Sequence, residues 1–92
     1  MKLKLSDRLS VAPDVLFQQV DGESVLLNLA SESYFGLDPV GTRIWVLLGQ
    51  DSSLQLAFEA LCDEYEVEPE RLEADLLALA QSLMDAGLLQ PA

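Results

Sequence analysis

Histidine is absent from this 92-residue chain, cysteine occurs once, and five lysines and arginines stand against sixteen aspartates and glutamates. Without histidine the chain lacks the commonest general base and the commonest metal ligand. The lone Cys62 excludes an internal disulfide and agrees with a reducing compartment. No apolar run approaches the roughly 20 residues that span a bilayer. Lys2 and Lys4 are followed by no apolar stretch before Asp7, so no signal peptide is expected and a cytoplasmic protein is. The shortage of bases is uneven. Residues 1–37 carry five acids and three bases, whereas residues 38–92 carry eleven acids and two bases. Such a surface repels phosphate backbones and attracts basic partners.

What is present is apolar residue in quantity: half the chain. This is enough for the core of one domain spanning residues 1–92, but too little for a deep catalytic cavity as well. Residues 1–9 read as an N-terminal arm or edge strand, because Lys2 to Leu5 alternates polar and apolar. Pro13-Asp14 marks a turn. Val15–Val20 and Glu23–Leu29 are strand-like runs separated by Asp21-Gly22, the pair a type I′ hairpin turn requires. A two-residue turn places Phe17 opposite Leu26 and Leu16 opposite Leu27. After the polar turn Ala30–Ser33, Tyr34–Leu37 makes a third short strand.

At Asp38-Pro39 the period changes from strand to helix. Asp38 suits an N-cap and Pro39 the first helical position. Val40, Ile44, Leu47 and Leu48 follow at helical spacing, with Trp45 beside them and Gly49 as the expected C-cap. A second helix starts at Asp51-Ser52-Ser53 and aligns Leu54, Ala57, Phe58, Leu61 and Tyr65. A third begins at Pro69 with the face Leu72, Leu76, Leu79, Ala80 and Leu83, and ends at Gly87. Leu88-Leu89 are expected to return to the core. The fold class is α+β: a three-stranded antiparallel sheet followed by three helices (βββααα), a winged helix-turn-helix.

No nucleophile elbow, phosphate-cradling glycine loop or metal-ligand spacing is present, so no catalytic residue, metal or cofactor is assigned. Cys62 reads as a buried, inert thiol on the apolar side of its helix. The acids Asp63, Glu64, Glu66, Glu68 and Glu70 read as a solvated connection. DNA readout is disfavoured, because the third helix shows Glu70, Glu73, Asp75 and Asp85 against Arg71 alone. Peptide binding remains. An unpaired strand edge offers its N–H and C=O groups to an extended chain. If Tyr34–Leu37 is an edge beside the third helix, Leu72, Leu76 and Leu79 wall a groove that Arg71 and Asp75 flank.

The segment Leu27-Asn28-Leu29-Ala30-Ser31-Glu32-Ser33-Tyr34-Phe35-Gly36-Leu37-Asp38-Pro39-Val40-Gly41-Thr42-Arg43-Ile44-Trp45 resembles the PqqD-like proteins. These are recognition elements of pathways for ribosomally made, post-translationally modified peptides (RiPPs). The resemblance runs from about Ser10 to Leu89 and implies a non-catalytic domain that binds a precursor's leader as an added strand. The implied peptide-binding positions are Ser33, Tyr34, Phe35, Gly36 and Leu37 on the strand and Arg71, Leu72, Asp75, Leu76 and Leu79 on the helix. The implied partners are the precursor leader and a leader peptidase or other modifying enzyme, with no nucleic acid and no membrane. Tyr-Phe-Gly-Leu-Asp is similar to the lasso peptide group; the alternatives are a chaperone for a radical SAM peptide-modifying enzyme and an acidic winged-helix regulator. A charge at Leu37 or Leu72 is expected to weaken leader binding. Proline at Phe35 is expected to weaken binding or the fold by removing a strand N–H.

Overall fold

The computed structural model describes residues 3–92. Its elements run β1 (Leu9–Val11), β2 (Val15–Val20), β3 (Glu23–Asn28), β4 (Ser33–Leu37), α1 (Pro39–Gln50), α2 (Leu54–Glu64), α3 (Pro69–Asp85) and β5 (Leu89–Pro91). The central meander has the order β2-β3-β4 and the expected register: Phe17 faces Leu26 and Leu16 faces Leu27. Asp21 (φ 51°) and Gly22 (φ 83°) both lie in the left-handed region, as a type I′ turn demands. Asn28 shapes the second turn by accepting from the N–H groups of Ala30 and Ser31 at 3.0 and 3.3 Å.

Strand alternation sorts the sheet into two faces. Ser24, Leu26, Asn28, Phe35 and Leu37 turn inward with Val15 and Phe17, and Leu26 is completely buried. Helix α1 lies against this inner face. Its Thr42 Oγ1 lies 2.8 Å from Ser24 Oγ, a buried hydroxyl pair that fixes helix to sheet. Trp45 is stacked with Phe17 at a centroid separation of 6.5 Å. The core continues through Ile44, Leu48, Leu54, Ala57 and Leu61 to Leu72, Leu76, Ala80 and Leu83 of α3. Leu88 and Leu89 pack back onto it, as expected.

Each helix starts where its sequence provides a start. Asp38 accepts the Gly41 N–H at 2.7 Å and Ser53 accepts the Leu56 N–H at 3.1 Å. Pro39 and Pro69 open α1 and α3. Two helix ends differ from the sequence reading. Helix α1 runs through Gly49 to Gln50, and the cap is Asp51, whose N–H donates to Leu47 O at 3.0 Å. Gly49 is not needed in a left-handed conformation because the chain leaves the helix extended. Tyr65 is the extended C-cap of α2, not a member of its helical face, although it still packs on the core.

A further difference is an added two-stranded ribbon. Strand β1 pairs antiparallel with β5, bringing Leu9 opposite Pro91 and Val11 opposite Leu89. The strand expected within residues 1–9 therefore begins only at Leu9. Residues 4–7 form a turn, with Lys4 N–H on the Asp7 carboxylate at 2.8 Å and Asp7 N–H on Lys4 O at 3.0 Å. Met1 and Lys2 lie outside the described residues. Leu9 outweighs the weak alternation before it because it is a fully apolar anchor for the core, 1% exposed.

Candidate functional site

Strand β4 pairs only with β3 among the described residues, so one of its rims is open. Register decides which main-chain groups face out. In a two-residue hairpin the pair next to the turn, Val20 and Glu23, exchanges both hydrogen bonds, and such pairs recur at every second residue. The Leu29 N–H to Asp14 O bond at 2.9 Å has this parity. Ser24, Leu26 and Asn28 therefore direct their N–H and C=O groups at Leu37, Phe35 and Ser33. The free groups of β4 belong to Tyr34 and Gly36. This narrows the expectation for proline at Phe35 to the fold: that N–H belongs to the ladder with Leu26, so its loss strikes the fold first.

Across the open rim stands α3. Between the two lies a crevice of ≈ 490 Å³, lined by Gly36 and Leu37 of β4, Val40 and Ile44 of α1, and Asp75 and Leu79 of α3. Its chemistry is aliphatic with a carboxylate at each side, Asp38 and Asp75. Of the strand positions, Ser33 is exposed and Phe35 half-buried on the inner face, while the Tyr34 ring points outward into solvent. Of the helix positions, Leu79 and Asp75 reach the crevice. Leu72 and Leu76 are core residues, 4% and 0% exposed, which support the wall from behind. Arg71 stands outside the lining, exposed, with Nε 4.0 Å from the Asp75 carboxylate. Leu37 is also buried, so a charge there or at Leu72 would disrupt the core before it tested a groove.

The α1 contribution was not among the sequence-derived positions. The signal was present: the Asp38-Pro39 cap starts α1 directly after β4, so the residues of its first turns must face the end of that strand. Gly41 sits here for a steric reason. A Cβ at this position would lie 3.2 Å from both Asp38 Oδ1 and Leu37 Cδ2. Asn28 was missed too. Its buried side chain donates to the carbonyls of Ala86 and Gly87 at 3.4 and 3.3 Å, tying β3 to the end of α3.

Among the described residues the best-formed ion pair lies outside the crevice lining. Arg43 donates to both oxygens of Glu64, at 2.8 and 2.7 Å. This hydrogen bonding raises the Arg43 pKa and holds the Glu64 carboxyl below its ordinary value of 4.5. Cys62 is half-buried against the core. Among the described residues no group of three or more histidines, cysteines, aspartates or glutamates could hold a metal ion, and no helix is long and apolar enough to cross a membrane.

Fold and crevice together define a small winged-helix module with an open strand edge beside an apolar helix wall. The profile of the family described as coenzyme PQQ synthesis protein D (PqqD) matches residues 23–89, and the chain belongs to that family. Two solved structures are similar to it over most of its length. One is TbiB1 in complex with the TbiA(beta) leader peptide, 37% identical, with a TM-score of 0.83 over 88% of this chain and 94% of that one. The other is a lasso peptide synthetase B1 complexed with the leader peptide, 31% identical, with a TM-score of 0.81 over 91% of this chain and 99% of that one. None of the curated proteins matches the chain.

Proposed function

We propose that this protein is a single-domain, non-catalytic RiPP recognition element of the lasso peptide type, working in the cytoplasm. It binds the leader of a precursor peptide as a strand added to β4 and presents the precursor to a leader peptidase or other modifying enzyme. The observation that carries this is the open rim of β4 beside the crevice to α3. Tyr34 and Gly36 offer two N–H and two C=O groups, and four hydrogen bonds contribute about 2–6 kcal/mol net. Losing translational and rotational freedom costs roughly 4–15 kcal/mol, and ordering a leader costs a further 2–5 kcal/mol or so. Main-chain pairing alone therefore cannot hold the leader. Apolar leader side chains seated against Leu79, Val40 and Ile44 must supply the rest, at about 1.5–3 kcal/mol each.

Among the described residues strand β2 has an open edge as well, from Val15, Phe17 and Gln19, but none of these three lines the crevice beside α3. An added strand there would gain hydrogen bonds away from the Val40, Ile44 and Leu79 wall, which favours the β4 edge. Asp38 and Asp75 favour a leader with lysine or arginine near its anchors. The leader-bound complexes named above support the lasso type over the radical SAM alternative, to which the PQQ family description is nearer. Hydrogen exchange tests the reading. Adding the leader should slow exchange at Tyr34 and Gly36 and leave Val15, Phe17 and Gln19 unchanged. Protection on the β2 side instead, or on neither edge, would refute it.

A further inference from the structure

A meander with one face on a core normally turns polar residues outward. Here the outer positions are Leu16, Leu27 and Tyr34 in one cross-strand row and Gln18, Val25 and Gly36 in the next, with Val20 beside Glu23 at the hairpin end. Leu16, Val20, Val25 and Tyr34 are 55%, 59%, 45% and 74% exposed. The face is not flat. Gly36 has no side chain, and a Cβ placed there would meet nothing within 4 Å. A hollow of ≈ 760 Å³ opens at this end, lined in part by Gln18, Val20, Val25 and Gly36, with Asp21, Glu23 and Asp38 also in its lining. The turns at the opposite end carry Asp14 and Glu32, and no lysine or arginine occurs anywhere from residue 9 to residue 42.

Apolar residues that adjoin across three strands mark an interaction surface, where scattered ones would not. The charge around them selects the occupant. A second copy would bring the same acids against these, on a chain whose net charge is −11, and an anionic membrane would be repelled for the same reason. A protein with an apolar patch ringed by lysine and arginine fits both features. We propose that the outer face of β2, β3 and β4 docks the enzyme that processes the bound precursor, through such a patch. The inference rests on the leader-binding reading above and adds where the second partner sits. Strand β4 then serves two partners. Its main-chain rim at Tyr34 and Gly36 takes the leader, and its outward face takes the enzyme, so the precursor is held within a strand's width of the docked enzyme. The added leader strand also widens the sheet, so each partner should strengthen binding of the other.

The test uses the full chain, its leader peptide and the purified leader peptidase that acts on the same precursor. The double variant Leu16→Thr, Val25→Thr puts a β-branched strand former at both positions and lies outside the leader crevice. It should bind leader as the unaltered protein does and bind the peptidase about tenfold more weakly. A second route is Gln18→Lys, Glu23→Lys, which should weaken the peptidase complex at low salt and match the unaltered protein at high salt. Equal peptidase affinity in both double variants would overturn the proposal. So would an unaltered protein that binds leader but not the peptidase, or one that forms dimers through this face. Failure of the unaltered protein to bind leader would overturn both readings, and this outcome is distinguishable from the others.

Discussion

Proline at two neighbouring positions of β4 should have opposite consequences. The Tyr34 N–H points to the open rim, whereas the Phe35 N–H is committed to Leu26. Tyr34→Pro removes one donor from the leader's side and leaves the β3 ladder whole. One hydrogen bond is worth about 0.5–1.5 kcal/mol, so leader affinity should fall roughly two- to tenfold relative to Tyr34→Ala, which removes the same ring but keeps the N–H. Proline is tolerated on an outward-facing edge position, so the melting temperature should stay within a few degrees. Phe35→Pro removes an internal bond, leaves the Leu26 carbonyl without its partner and deletes a half-buried ring. That sums to about 2–4 kcal/mol, or roughly 10–30 °C for a domain of this size. Calorimetric titration with the leader and thermal unfolding by circular dichroism read the two effects separately. The register argument is refuted if Tyr34→Pro melts far below Tyr34→Ala while Phe35→Pro remains as stable as the unaltered protein.

Three further perturbations separate site from scaffold. Leu79→Asp places a charge in the crevice from a half-buried position; leader affinity should drop at least tenfold with the fold retained, and titration with an unchanged result would remove α3 from the site. Asn28→Leu breaks the links to Ala86, Gly87, Ala30 and Ser31, and chemical denaturation should show a loss of about 2–3 kcal/mol. The lowered Glu64 carboxyl contributes stability that is present above its ordinary value of 4.5 and is lost as pH falls through the folded-state value. Glu64→Gln should therefore be less stable than the unaltered protein near neutral pH, by a small margin because the pair is solvated. The difference should vanish in acid, and a margin that grows on acidification would contradict this sign.

The meander could be read from the sequence because its determinants are local. Asp21-Gly22 permits only a tight turn of one hand, and the alternation on either side admits a single register. The helix starts were legible for the same reason, through Asp38-Pro39, Ser53 and Pro69. Pairing between Leu9–Val11 and Leu89–Pro91 was not, since no local rule connects segments almost a whole chain apart. In the crevice, strand composition indicated an edge, but helical periodicity could not divide the leucines of α3 between core and wall. That division depends on how α3 packs against α2 and β5, which leaves Leu79 and Asp75 at the opening and turns Leu72 and Leu76 inward. The Val40 and Ile44 contribution depends on the same packing, although the cap that positions it was visible.

The ribbon of β1 and β5 has a consequence for how the molecule is made. Its second strand is synthesised long after its first, while the hairpin and α1 are made earlier and can associate at once. Leu9 must wait for β5 before it can pair with Pro91. The final clasp is therefore a maturation step: a nascent chain that stops short of residue 89 should already hold its meander, yet tie β1 down only once residues 89–91 have been added.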